Sequence, residues 1–376
     1  VDVDERAGRD RRGGGLLRRD ARCRCRNIGL RELLHGRRRR KHEGKEKESE
    51  RDTEGFGEVA PLDGWSEESL NDAQEQVREL KAALTGRDIL PGVEKLDGKM
   101  NSWFEEMNLR RSVQFGIEMA ALNLIAGTRN TALFQSVAHE HSGHRDYTRV
   151  HALLDGTAEE VARQAQKFKE DGFTDMKLKV RGSVDESADK VRAVNEVLRG
   201  EVLLHLDANQ AWELEEAVRF GREIECGTVA YIEEPLKHVY QTPEFYQETL
   251  IPVALDESLL KLSVEEFKSM DGVDVLVLKP TALGGLEKTW QLMQQARALG
   301  LAVVISSSFE SGLGILTLAN LASCTVRDQA AGLDTLKWFE QDILKENVLI
   351  RRGKINIRQR PPRSEDINFE LLKEIV

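Results

Sequence analysis

TDMKLKV (residues 174–180) is a short apolar run closed by two lysines, and four later runs are built the same way. VLLHLDAN (202–209) closes on Asp207, VAYIEEP (229–235) on Glu233, PVALDES (252–258) on Asp256 and VLVLKP (275–280) on Lys279. From Lys179 onward these charged residues are 28, 26, 23 and 23 residues apart. One strand, one helix and two short loops take about that length, so the spacing predicts repeated βα units. In a barrel of such units the C-terminal strand ends converge on one mouth. Three carboxylates meeting there repel one another unless a hard cation holds them, and lysines facing that cation can move protons.

Lys177 and Lys179 are two apart on a strand, so both point to one face. With Met176, Leu178 and Val180 on the other face, that face is expected to be buried and the lysines to point into the barrel. Crowding of the ammoniums, helped by a nearby dication, is expected to lower a lysine pKa toward neutrality. Asp207, Glu233 and Asp256 offer only oxygen ligands, which favours Mg²⁺, with Mn²⁺ as the alternative, over Zn²⁺. Glu233 and Glu234 point to opposite faces of a regular strand, and Glu233 is taken as the ligand. Glu257 beside Asp256 carries the same ambiguity. SSSFESGLG (306–314) offers backbone and hydroxyl donors to a carboxylate at a helix N-terminus, or is a plain loop. HEHSGH (139–144) is better read as a polar loop than as a metal site.

At 376 residues with 40% hydrophobic content the chain has the composition of a globular protein. Residues 1–50 carry 17 Lys+Arg against 10 Asp+Glu, so the remainder is strongly acidic. That argues against a nucleic-acid surface on the folded part. Four cysteines without a second close pair fit neither a zinc site nor a disulfide framework. No apolar run reaches the roughly 18 residues of a membrane span. The chain begins with Val, which suggests a fragment, or one domain of a larger multifunctional protein.

Residues 1–55, with GGG, RRRR and a mixed-charge run, read as a disordered or aberrant leader without strands. Ser66 is expected to cap a helix through Leu84, with Glu67 and Glu68 in its first turn. VQFGIEMAALNLIAG (113–127) reads as a buried helix ending in Gly. Barrel strands are expected at RVHALLD (149–155), in the five runs above, at LAVVISSS (301–308) and at a short last strand near Gly332. The tail 349–376 is expected to hold a short strand and a final helix, and to return onto the N-terminal part. The fold class is therefore α/β: a modified (β/α)7β TIM barrel over 149–348. An α+β capping domain, N-terminally incomplete, spans 56–148 and is completed by 349–376.

The ordered set GFGEVAPL, SVQFGIEMAALNL, KLK, LDAN, EEP, DES, LKPTALGG, ISSSFESGLG and GLDTLKWF resembles the muconate-lactonizing branch of the enolase superfamily. Within it the chain is most similar to the o-succinylbenzoate synthase family. The resemblance implies Lys179 as the acid/base lysine and Lys279 as its partner on the opposite face. It implies Asp207, Glu233 and Asp256 as Mg²⁺ ligands, with Ser306 and Gly332 at the substrate. The implied reaction is dehydration of a small succinyl-substituted cyclohexadiene carboxylate. It also implies a plastid setting for a plant-like chain and a cytoplasmic one otherwise. Members carry cap strands and a mobile loop over the substrate, and the lack of such strands in 1–55 predicts weak activity or none. The competing expectations are a dipeptide epimerase or N-acylamino acid racemase of the same branch, a non-catalytic remnant, and a nucleic-acid binder resting on the basic arm alone.

Overall fold

Seven parallel strands follow one another in chain order across a single sheet. The computed structural model describes residues 28–30, 35–36, 53–85, 87–135, 145–224, 227–358 and 360–372. The cap contributes β1 (Ile28–Leu30), β2 (His35–Gly36), β3 (Thr53–Glu54), β4 (Gly57–Val59), α1 (Leu70–Leu84), α2 (Lys99–Phe104) and α3 (Arg111–Arg129). After β5 (Tyr147–Arg149) the barrel strands are β6 (Ala152–Leu154), β7 (Asp175–Lys179), β8 (Leu203–Asp207), β9 (Tyr231–Glu233), β10 (Val253–Leu255), β11 (Val273–Leu278) and β12 (Ala302–Ile305). Helices α4 (Ala158–Glu170), α5 (Val184–Leu198), α6 (Leu214–Glu223), α7 (Thr242–Thr249) and α8 (Val264–Lys268) lie between β6 and β11. The short α9 (Pro280–Leu283) and the longer α10 (Leu286–Ala298) precede β12, and α11 (Gly312–Ala322) follows it.

The expected eighth strand is present only as bridges. Gly332 pairs in parallel with Ser306 just beyond β12, and Ala331 pairs in parallel with Val150 just before β6. Those two residues join the first barrel strand to the last. Ser306 and Gly332 are thereby neighbours, and a Cβ on Gly332 would lie 2.5 Å from Ser306 Oγ.

The expected barrel strand at 149–155 is β6, and only its first residue, Arg149, belongs to the preceding β5. β5 pairs antiparallel with β13 (Lys354–Asn356), while β6 joins the barrel. No helix closes the described part of the tail, which instead makes 3₁₀ turns at Ser364–Asp366 and Phe369–Leu371. Phe369 lies against Phe56, ring centroids 6.3 Å apart.

The strandless reading of residues 1–55 is corrected. β1 pairs antiparallel with β4, and β2 with β3. Strands of two and three residues carry no period-two pattern for a sequence reading to find. β4 lies directly on α3, because a Cβ on Gly57 would stand 1.9 Å from the Gly116 carbonyl oxygen, and one on Gly116 would stand 2.5 Å from Val59.

Helix α1 starts later than expected. Ser69, not Ser66, accepts from Asp72 N at 3.2 Å, and Asp72 closes a capping box. Glu68 is turned away and accepts from Ser112 N at 2.8 Å, at the first turn of α3. Carboxylates also fasten the cap to the barrel in this way. Glu58 accepts from Ser311 N and Gly314 N at the start of α11, at 2.7 and 2.9 Å. Glu118 accepts from Leu286 N and Glu287 N at the start of α10, and Glu287 accepts from the backbone of Gly98, Met100 and Asn101 at α2. No helix among the described residues is long and apolar enough to cross a membrane.

Candidate active site

The strand order places β7, β8, β9, β10 and β11 side by side. Their C-terminal ends therefore present Lys179, Asp207, Glu233, Asp256 and Lys279 in that order. Register aligns the first three directly, with Lys179 opposite Asp207 and Asp207 opposite Glu233. Acids occupy the middle three strands, and lysines the two outside them.

Lys177 points inward, one layer below Lys179. Its Nζ donates to both Glu233 oxygens at 2.7 Å and lies 2.9 Å from Asp207 Oδ2. Lys179 Nζ donates to Asp207 Oδ2 at 2.6 Å and to Asn209 Oδ1 at 2.8 Å. On the far side Lys279 Nζ donates to Asp256, and the Trp65 ring stands 4.8 Å from that ammonium. Trp65 reaches the barrel mouth from the cap, in the turn between β4 and α1.

Glu233 and Glu234 separate as their alternation requires. Glu234 has φ +43° and turns outward. It accepts from Asp256 N and Ser258 N at 2.8 Å each, from Ser258 Oγ at 2.7 Å and from Gln210 Nε2 at 3.0 Å. It fixes the loop that carries Asp256. Asn209 and Gln210 also have positive φ, so left-handed backbone is concentrated just past β8 and β9. Such conformations cost free energy and persist where a site over-determines them.

Burial acts to lower the Lys177 pKa, but Asp207 and Glu233 outweigh it and hold the lysine well above its ordinary value. Lys279 is likewise raised, burial being overcome by Asp256 and then Glu233. For these two lysines the neighbouring carboxylates, rather than the other ammoniums, decide the sign. Asp207 is held well below the carboxylate range: burial opposes this, but Lys177 and Lys179 prevail. Glu233 is raised, by burial and then by Asp207.

Among the described residues no group of three or more His, Cys, Asp and Glu side chains is drawn together around a common point. Lys177 stands between Asp207 and Glu233, and Lys279 engages Asp256. The donor set nevertheless fits a hard divalent cation: oxygen-only carboxylates on adjacent strand ends, with Asp207 and Glu233 buried. The neighbouring Glu257 keeps Oε2 buried without a partner. Its pKa is pushed up to about 7, chiefly by burial and then by Asp256.

Ser306 is buried at the end of β12 beside Gly332, and Ser307 Oγ is committed to Glu310 Oε2 at 2.6 Å. His139, His141 and His144 lie outside the described residues. Sequence reasoning passed over Asn209, although LDAN contains it, and Trp65, which no spacing rule connects to Lys279.

Residues 160–365 match the family model described as enolase C-terminal domain-like, and residues 33–124 match MenC, N-terminal domain. The second match begins inside the stretch read as a leader. The chain is 31% identical over 334 residues to Protein PHYLLO, chloroplastic, of Arabidopsis thaliana, and covers 19% of that protein's length. It is 33% identical over 293 residues to the o-succinylbenzoate synthase of Citrobacter koseri, with 76% of this chain and 80% of that one covered. Among solved structures, a dipeptide epimerase from Cytophaga hutchinsonii complexed with Mg and dipeptide D-Ala-L-Val superposes with a TM-score of 0.71. At 22% identity, with 82% of this chain and 83% of that one covered, this is a likeness of fold. The chain belongs to the enolase superfamily and is related within it to the o-succinylbenzoate synthases.

Proposed function

We propose that this chain is an o-succinylbenzoate synthase, a Mg²⁺-dependent lyase. It removes water from 2-succinyl-6-hydroxy-2,4-cyclohexadiene-1-carboxylate on a route to phylloquinone or menaquinone. The observation that carries the reading is the order lysine–acid–acid–acid–lysine across five adjacent strands, in a chain 33% identical to a synthase over 80% of that protein.

The proton next to a carboxylate is far too weakly acidic for a lysine to remove unaided. Asp207, Glu233 and Asp256 would hold the divalent cation, which supplies charge stabilisation to the substrate carboxylate as negative charge develops there. Lys179, as the neutral amine, takes the proton from ring carbon 1 and becomes the ammonium. Lys279, a fixed cation on the opposite side, stabilises the resulting anion. Protonated Lys179 returns its proton to the hydroxyl leaving carbon 6, a water departs, and the ring becomes aromatic. Trp65 and the cap loop help exclude bulk water. The Ser306 hydroxyl, beside Gly332, would offer a donor to the succinyl or carboxylate group. The chloroplastic relative supports a plastid setting.

A 1,1-proton transfer on a dipeptide or an N-acylamino acid would use the same lysines. Asp334, which follows the eighth barrel position, is already paired with Lys337, so it is not offered to a substrate ammonium. Assaying the cyclohexadiene carboxylate beside a panel of dipeptides and N-acylamino acids tests the assignment. Aromatic product from the first and no exchange at Cα of the others is expected, and the reverse pattern would replace the synthase with an epimerase or racemase.

A further inference from the structure

Barrel interiors are usually filled by layers of apolar side chains, and one half of this barrel follows that rule. Tyr231, Ala254, Val275, Val277, Ala302 and Val304 form a separate buried cluster there. Below the lysines the other half is polar. Asp175 and His205 are 0% and 2% exposed, and neither touches the carboxylate trio.

Asp175 is fully supplied with donors. Arg149 Nη2 donates at 2.5 Å, Thr174 Oγ1 at 2.8 Å, and His205 Nε2 stands 3.3 Å from Oδ1. Burial pushes its carboxyl up, but His205, Arg149 and Thr174 together hold it down at about 2. An anionic Asp175 can only accept, which assigns the His205 proton to Nε2. The ring is braced against Tyr231, centroids 4.6 Å apart. His205 is the register partner of Lys177 on the adjacent parallel strand, so the two inward side chains lie side by side.

Asp175 lies two residues before Lys177 on the same strand face. A buried ammonium is drawn to whichever buried anion is least satisfied. We propose that His205, fixed by Asp175 and Arg149, is a positioning residue that keeps the Lys177 ammonium on Asp207 and Glu233 and off Asp175. The inference rests on the cation-site reading above. His205 touches no substrate in this assignment and acts only through Lys177. If His205 is lost, Asp175 lacks one donor and Lys177 moves down toward it. A positive charge then leaves the neighbourhood of Asp207 and Glu233, and a divalent cation there meets less competition.

The test is a double-mutant cycle read by calorimetric titration with Mg²⁺ alone, on full-length protein. His205→Phe keeps a ring on Tyr231 and removes both nitrogens. It is expected to tighten Mg²⁺ binding at least about threefold, with turnover reduced. In a Lys177→Met background the same change is expected to alter affinity by less than about twofold. His205→Gln, which keeps a donor for Asp175, should restore the parent affinity. Should His205→Phe fail to fold, His205→Leu, which likewise removes the donor to Asp175, is measured in the same cycle. Unchanged or weakened binding, or an equal effect in both backgrounds, overturns the inference and leaves the proposed function standing. A folded parent that binds no Mg²⁺ overturns both.

Discussion

Lys177, Lys179 and Lys279 could be found from strand ends alone, because a lysine closing an apolar run has few apolar reasons to be there. The direction in which Lys177 and Lys279 are shifted could not, because it depends on which carboxylate each ammonium reaches. Glu233 and Glu234 illustrate the division. Alternation separates them by face, and only the structure shows Glu234 holding Asp256 N and Ser258 N. Replacing Glu234 with Ala leaves those buried amides unsatisfied, at about 1–3 kcal/mol each. Thermal denaturation should show a drop of several degrees, together with weaker Mg²⁺ binding. A variant as stable as the parent would mean that the loop does not depend on this anchor. Lys279→Ala removes the cation across the site without touching Lys179. Turnover should fall roughly 10²- to 10³-fold while substrate binding changes less. A large loss of binding with turnover intact would assign Lys279 to the ground state instead.

Helices and strands were legible where they are long. The βα alternation from Ala152 to Ala322 follows from period and spacing, and α4 and α10 need only their apolar faces. Boundaries were lost where two signals compete. Ser66 and Ser69 both precede acids, and the capping box with Asp72 decides for Ser69. The strand at 149–155 was legible, but β5 just before it pairs with β13 in the tail, a long-range choice that no local pattern encodes. The same limit hid the carboxylates that cap helices from a distance. Glu58 is one, and burial, then Glu310 among the raising influences, pushes its pKa up to about 8 against its hydrogen bonds from Ser311 and Gly314. A carboxyl raised on folding contributes stability that is full below its unfolded value, and lost as pH climbs through the folded one. Each unit of such a shift corresponds to about 1.4 kcal/mol. The parent should therefore lose melting temperature between about pH 5 and about pH 9, and Glu58→Gln should flatten that slope. Equal slopes in parent and variant would show that Glu58 does not set it.

For the whole molecule, the cap decides whether the barrel site is covered. Residues 1–55 read as strandless because composition dominated the reading, yet β1 and β2 complete two small antiparallel pairs with β4 and β3. The expectation of weak activity rested on missing cap strands, and those pairings remove its premise. Trp65 then connects cap and barrel at Lys279. Trp65→Ala should raise KM more than it lowers kcat, and equal effects on both would place the ring in the chemical step. The proposed function requires this lysine and carboxylate array to perform a cation-dependent dehydration. The most direct measurement is aromatic product formation from the cyclohexadiene carboxylate with Mg²⁺, with a chelator, and with Lys179→Ala. Turnover with Mg²⁺ that disappears in both other cases is the predicted result. Folded protein that forms no product with Mg²⁺, or that keeps its rate without Lys179, would contradict it.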